Sequence, residues 1–288
     1  VPAEIATQMA TGPLPWRQPN IQYNQQKVYV DVIEKFSLTK SSEGKISNSC
    51  VEGFTTMNVN LSGNPLCTFT FNARELQGPN GETLLATGSI DVNDIIFHQC
   101  VKLDKLLTNK EISFVPPNGS FELMRYKKTD GISPPFEITP TISSTGNKFD
   151  LLIRVQSTYD RTLKASPFTL TIPISQRTVN VTFECSDKSK AKYDELSNSV
   201  VWTVQEFYGQ SEAQIHIHAA YLSAQYKSSS IDKTIKPISA EFHIPKLSPT
   251  GLSLERFDSG SGKLETYIRY TTENGKYQAL LEEVRQVH

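Results

Sequence analysis

Val28-Tyr29-Val30-Asp31-Val32-Ile33-Glu34 alternates apolar and other side chains with a period of two, and runs of this kind recur along most of the chain. A period of two is the repeat of a β-strand, whose successive side chains point to opposite faces. Val28, Val30 and Val32 therefore share one face, which reads as core, and Tyr29, Asp31 and Ile33 share the other. The second face carries a carboxylate between two bulky side chains. A charge there is solvated, paired or kept for a ligand, because burying it alone is costly.

Further strand-like runs lie at 67–72, 90–101, 111–115, 121–126, 136–142, 148–157, 168–174, 179–183, 200–204, 213–222, 238–244, 253–257 and 264–270. Turn formers separate them, most clearly Ser62-Gly63-Asn64-Pro65 and Pro116-Pro117-Asn118-Gly119. Residues 73–89 are polar and contain glycine, which predicts a loop. Helical spacing is confined to 277–287, where Leu280, Leu281 and Val284 predict one or two amphipathic turns. Many short strands and almost no helix predict an all-β sandwich, and 288 residues suffice for two such units. Residues 1–14 read as a linker, part of a proline-rich lead-in whose end is docked by Trp16-Arg17.

The formal charge is −1 and 38% of residues are hydrophobic, which fits a folded protein and not a polyanion binder. No apolar run approaches the ~20 residues that span a bilayer. Residues 1–20 lack the apolar core of a signal peptide, and the opening on Val1 predicts that the chain begins inside a longer protein. Cys50, Cys67, Cys100 and Cys185 are far apart and form no CxxC pair. They fit buried thiols in a reducing compartment. Disulfides in a secreted protein are the alternative, to which the sequons at Asn60, Asn118 and Asn180 lean.

No phosphate-binding glycine loop, dinucleotide fingerprint or nucleophile elbow is present, so nothing favours an enzyme. His216 and His218 would share one face of a strand, but no third metal ligand is near in sequence, and the pair reads as two exposed polar residues. Lys188-Ser189-Lys190-Ala191-Lys192 reads as a solvated basic face, with a weak anionic-lipid contact as the alternative.

An ordered series of motifs resembles the mu homology domain, the C-terminal domain of the medium (mu) subunits of clathrin adaptor complexes. Trp16-Arg17 resembles its entry motif, Val30-Asp31-Val32-Ile33-Glu34 its first strand and Leu61-Ser62-Gly63-Asn64-Pro65 a characteristic turn. Phe97-His98-Gln99-Cys100-Val101-Lys102-Leu103 and Ser113-Phe114-Val115-Pro116-Pro117-Asn118-Gly119-Ser120-Phe121-Glu122-Leu123-Met124-Arg125-Tyr126 are similar to two further signatures. Val201-Trp202 and Ile268-Arg269-Tyr270 carry the likeness toward the C-terminus.

The resemblance implies an elongated, immunoglobulin-like all-β sandwich of two subdomains, the second inserted in the first. Residues 15–126 and 246–281 would form subdomain A, 127–245 subdomain B and 282–288 a tail. It also implies cargo recognition: Tyr-x-x-Φ sorting signals in the cytosolic tails of membrane proteins, bound as an added strand, with Φ a bulky apolar residue. By resemblance the tyrosine pocket is Tyr29, Asp31, Asn58, Tyr267 and Arg269, and the Φ pocket is Val28, Val30, Leu254, Phe257 and Ile268. Two positions depart from the family: Asn58 stands where well-known binders have Lys, and Tyr267 where they have Trp. Asn donates a hydrogen bond but supplies no charge and less reach.

The implied partners are two large and one small adaptor subunits, with peripheral membrane contact that extends to phosphoinositide, and no nucleic acid, cofactor or metal. The implied location is cytoplasmic, on coated vesicles, Golgi or endosomes, or plasma-membrane coated pits. The competing readings are a mu-like scaffold that docks an endocytic accessory protein or a nonstandard signal, and an extracellular adhesion sandwich.

Overall fold

The computed structural model describes residues 14–18, 20–77, 83–86, 90–222, 236–260 and 264–281, with backbone alone at 73–77, 83–86, 90–93, 107 and 108. Nearly all of the expected linker and the whole of the expected tail at 282–288 lie outside the described residues. Among the described residues the only helix is one turn, Leu106–Asn109, and the rest of the regular structure is β. The chain divides into two compact units.

The first unit comprises Val1–Ile33, Glu52–Lys128 and Thr250–Tyr270. One of its sheets runs Leu254–Asp258, Cys67–Phe71, Glu111–Phe114, Val101–Lys102. It shares a core with strands Lys27–Lys40, Ile46–Asn60 and Gly119–Lys128, so that Phe69, Phe71, Ile112 and Phe114 meet Val28, Val30, Val32, Met57, Val59 and Leu123. The even positions of Lys27–Lys40 are buried from Val28 to Leu38, as the alternation requires. Each large side chain sealed in this way contributes about 1.5–3 kcal/mol. Gly53 is obligatory for packing: a Cβ there would lie 2.1 Å from Cζ of Tyr126, whose ring closes over that strand.

Arg17 pins the entry segment. It is 4% exposed, and its guanidinium donates to three carbonyls, Gly63 (2.7 Å), Pro116 (2.8 Å) and Leu61 (2.6 Å). Trp16 adds an indole bond to Val115 O at 2.8 Å. The two residues therefore tie together the turns 61–65 and 115–119. Burial lowers the Arg17 pKa, and the carbonyl oxygens take over the role of water around the cation.

The second unit comprises Glu34–Val51, Thr129–Pro249 and Thr271–His288. Its four-stranded antiparallel sheet runs Phe136–Thr145, Lys148–Ser157, Glu212–Tyr221, Thr178–Cys185. Facing it are Ser189–Asp194, Ser199–Val204, Phe168–Pro173 and Ile238–Pro245, in that order, followed by the 271–279 half of Glu265–Ala279. Ile153, Val155, Ile215 and Ile217 meet Leu170, Ile172, Val200 and Trp202 in one core. Each unit is thus two sheets around one hydrophobic layer, a β-sandwich.

Two stretches differ from expectation. Within 73–89 the chain forms strands Ala73–Gln77 and Thr83–Ala86, the first also pairing parallel with Ile90–Phe97. Backbone pairing there overrides a polar composition, to which strand propensity is blind. Residues 277–279 continue a strand and are not helical: Tyr277 and Ala279 are buried while Leu280 is exposed, so the period is two. The basic cluster is solvated as expected: Lys188 precedes strand Ser189–Asp194, whose alternation leaves Lys190 and Lys192 exposed.

All four cysteines are free thiols. Burial pushes Cys67 and Cys100 up from about 9 to about 12. The folded chain then holds protons that the unfolded chain releases, so this contribution is complete below pH 9 and is lost as the pH rises toward 12. Urea titrations should show stability falling over that range, with a shallower fall in a Cys67→Ala/Cys100→Ala variant. Arg17→Ala should lower the unfolding free energy by about 3 kcal/mol, because three buried carbonyls lose their donor. Arg17→Lys should recover little of it, since one ammonium cannot reproduce the planar fork.

Candidate functional site

The first half of Glu265–Ala279 lies beside Lys27–Lys40 in the sheet. Lys27 meets Glu265 at 3.4 Å, Tyr29 meets Tyr267, and Asp31 meets Arg269. The three pairs advance together along both strands, so the strands run parallel. The Tyr29 and Tyr267 rings stack with centroids 5.2 Å apart and planes 13° from parallel. Arg269 donates from Nε to Asp31 Oδ1 (2.6 Å) and from Nη2 to Oδ2 (2.9 Å), a two-pronged fork. Tyr267 donates its hydroxyl to Glu265 Oε2 at 3.1 Å. The result is a ladder of ion pair, aromatic stack and ion pair.

This face is wet. The Arg269 side chain is 69% exposed and that of Asp31 33%. Asp31 raises the Arg269 pKa, first through the hydrogen bond, and the bond to Glu265 raises that of Tyr267. A carboxylate has about four lone-pair sites, so Asp31 retains acceptor capacity after the fork has taken two. The fork also fixes the guanidinium plane, and a fixed guanidinium offers a stacking face to an aromatic ring.

The same strand offers backbone. Its pairing with Ile238–Pro245 runs from Ala279 only as far as Thr271. Among the described residues no strand covers the outer edge of 265–269, where main-chain N–H and C=O groups stand ready for an added strand.

The remaining predicted residues are placed as follows. Asn58 is exposed on Ile46–Asn60, which flanks Lys27–Lys40 on its other side. The odd positions 51–59 of that strand are buried, so Asn58 stands on the outer face with Tyr29 and Asp31. Val28 and Val30 have no accessible surface, and Leu254 has 6%. Phe257 packs on Phe69 at 4.7 Å between centroids, and both Phe257 and Ile268 are half-buried against the same core. The tyrosine-pocket residues therefore assemble at the surface, while three of the five Φ residues are core. Sequence reasoning missed Lys27 and Glu265, although stepping back two residues from Tyr29 and Tyr267 puts them on the same face. It also missed the Tyr270 hydroxyl, which accepts a bond from Leu254 N–H at 2.9 Å.

The model of the adaptor complexes medium subunit family matches residues 14–281, and the chain belongs to that family. It is 31% identical over 288 residues to the AP-2 complex subunit mu of Dictyostelium discoideum, covering 94% of this chain and 64% of that protein. It is 29% identical over 272 residues to the AP-1 complex subunit mu-1-I of Caenorhabditis elegans, covering 93% and 63%. The chain thus spans under two thirds of the curated relatives it matches. In fold it is similar to the yeast delta-COP-I mu-homology domain, with a TM-score of 0.64, 15% identity and coverage of 90% of this chain and 100% of that one. It is likewise similar to the Fcho1 mu homology domain of Danio rerio with bound Eps15 peptide, with a TM-score of 0.62, 12% identity and coverage of 89% and 97%. The family comprises trafficking proteins and not enzymes. No helix among the described residues is long and apolar enough to cross a membrane.

Because the Asp31–Arg269 pair is solvated, Asp31→Asn and Arg269→Gln should leave the thermal midpoint and circular dichroism close to those of the parent. A folding defect in either would show that the pair is structural.

Proposed function

We propose that this domain recognises cargo in vesicle-mediated protein transport by binding Tyr-x-x-Φ sorting signals in the cytosolic tails of membrane proteins. The observation that carries this reading is the conjunction of the Asp31–Arg269 fork with the uncovered strand edge at 265–269. The signal would extend along that edge and take main-chain bonds. Its phenol would donate to the spare lone pairs of Asp31 while its ring lies against Arg269 and the Tyr29–Tyr267 stack. The Φ side chain would meet Phe257 and Ile268 first, and would reach Val28, Val30 and Leu254 only if those covering residues shift. Asn58 would contribute a neutral contact at the pocket rim.

In this reading the chain is part of the medium subunit of a heterotetramer with two large chains and one small chain, held peripherally at coated membranes, with phosphoinositides as a further contact. A second reading is a scaffold that docks an accessory-protein peptide. It draws on the bound Eps15 peptide of the Fcho1 domain and the Dsl1 WxWxV peptide of the delta-COP-I domain.

Fluorescence anisotropy tests the choice. A labelled Tyr-x-x-Leu peptide should bind in roughly the micromolar range, about −8 kcal/mol. An Ala-x-x-Leu peptide, and Asp31→Ala in the protein, should each weaken binding at least about tenfold, the size of one lost charge-assisted hydrogen bond. Failure of every tyrosine peptide to bind the folded domain, with retention of a WxWxV-type peptide, would replace the cargo reading with the scaffold.

A further inference from the structure

The outer face of the second unit's four-stranded sheet gathers two imidazoles and a carboxylate. Asp150 lies directly opposite His218 in the antiparallel pairing of Lys148–Ser157 with Glu212–Tyr221, and His216 is two residues along the same strand. Ile215, Ile217 and Ala219 point into the core, so the period of two turns both histidines outward. Thr178–Cys185 flanks the other side of the histidine strand and sets Thr182 opposite His218 and the exposed Glu184 opposite His216. The third ligand absent from the sequence neighbourhood of the histidines is thus supplied across the sheet, 66 positions earlier than His216.

The side chains converge. The two imidazole centroids are 4.0 Å apart, and His218 Nδ1 lies 2.5 Å from Asp150 Oδ1. One ligand atom from each of Asp150, His216 and His218 falls within 4.8 Å of the other two. Zinc bonds of 2.0–2.2 Å in a tetrahedron place ligand atoms about 3.3 Å apart. The side chains of His218 and Asp150 are 40% and 44% exposed, free enough to make that adjustment by rotamer change. Cys185 takes no part: its partner is Ile215, on the opposite face, and its thiol donates to Ser189 O.

We propose that Asp150, His216 and His218 form a binding site for a divalent transition-metal ion, with a fourth position open to water or to Glu184. Two imidazoles and one carboxylate suit zinc, nickel or copper, whereas magnesium and calcium require more oxygen ligands. The metal would take the place of the hydrogen bond between His218 and Asp150 and clamp two neighbouring strands. The site shares no residue with the peptide face.

Zinc is the probe. The 288-residue chain, stripped with chelator and titrated calorimetrically with zinc chloride, should bind one equivalent. Cobalt(II) in its place should give the visible bands of a low-coordinate site with no thiolate charge-transfer band. His216→Ala/His218→Ala and, separately, Asp150→Asn should each lower zinc affinity about tenfold or more, at least as much as loss of an outer-shell partner costs a metal site. Both variants should keep the parent's circular dichroism and unfolding midpoint in metal-free buffer, because the three side chains are solvent-accessible. Excess magnesium or calcium should not compete. The proposal is overturned if the parent takes up no zinc, if both variants bind as the parent does, or if cobalt reports thiolate ligation.

Discussion

The parallel pairing of Lys27–Lys40 with Glu265–Ala279 is the contact on which the rest of the structure depends. It joins segments more than 200 residues apart, and each strand uses both faces. Inward, Val28, Val30 and Val32 build the core of the first unit. Outward, Tyr29, Asp31, Tyr267 and Arg269 build the candidate site. A core strand is held rigidly by what it buries, so the polar side chains on its other face are held in register at no extra cost. That is a sound base for a binding face, because ordering side chains on association is a principal cost of binding.

The site stands apart from what stabilises the fold. Arg17, buried and bonded to three carbonyls, is a structural cation: its partners cannot be solvated if it is lost. Arg269, also in a fork, faces water and has an ionic partner that water can replace. Arg17 gives its bonds to buried backbone carbonyls and Arg269 gives its to a solvated carboxylate, and that difference separates the arginine that serves the fold from the one available to a ligand. The half-paired strand follows the same division. Where Glu265–Ala279 is covered by Ile238–Pro245 it is structural; where that cover ends, its edge becomes a surface for an extended peptide.

Much of this was legible in the alternation. The all-β class, most of the strands and the outward set of Tyr29 and Asp31 follow from a period of two, and the ordered motifs identified the family that the comparisons bear out. Strands formed by polar residues, such as Ala73–Gln77, were illegible because their pairing is a backbone matter. The helical expectation failed at 277–279, the part of 277–287 that the structure describes as strand, because Leu280 and Leu281 mimic helical spacing whereas Tyr277 and Ala279 are the residues that pack. Strand patterning also carries no signal for the way Lys27–Lys40 and Glu265–Ala279 each serve two compact units along their length, since alternation names a face and not the core that the face meets.

By itself the sequence determined which side chains share a strand face, because that depends only on the geometry of consecutive residues. Tertiary structure alone decided which faces meet across strands. It set Arg269 against Asp31, left residues 265–269 with a bare edge, and brought Asp150 beside His216 and His218. Pairing partners and register are non-local: they are chosen by packing two hydrophobic layers together, and no window of neighbouring residues contains that information.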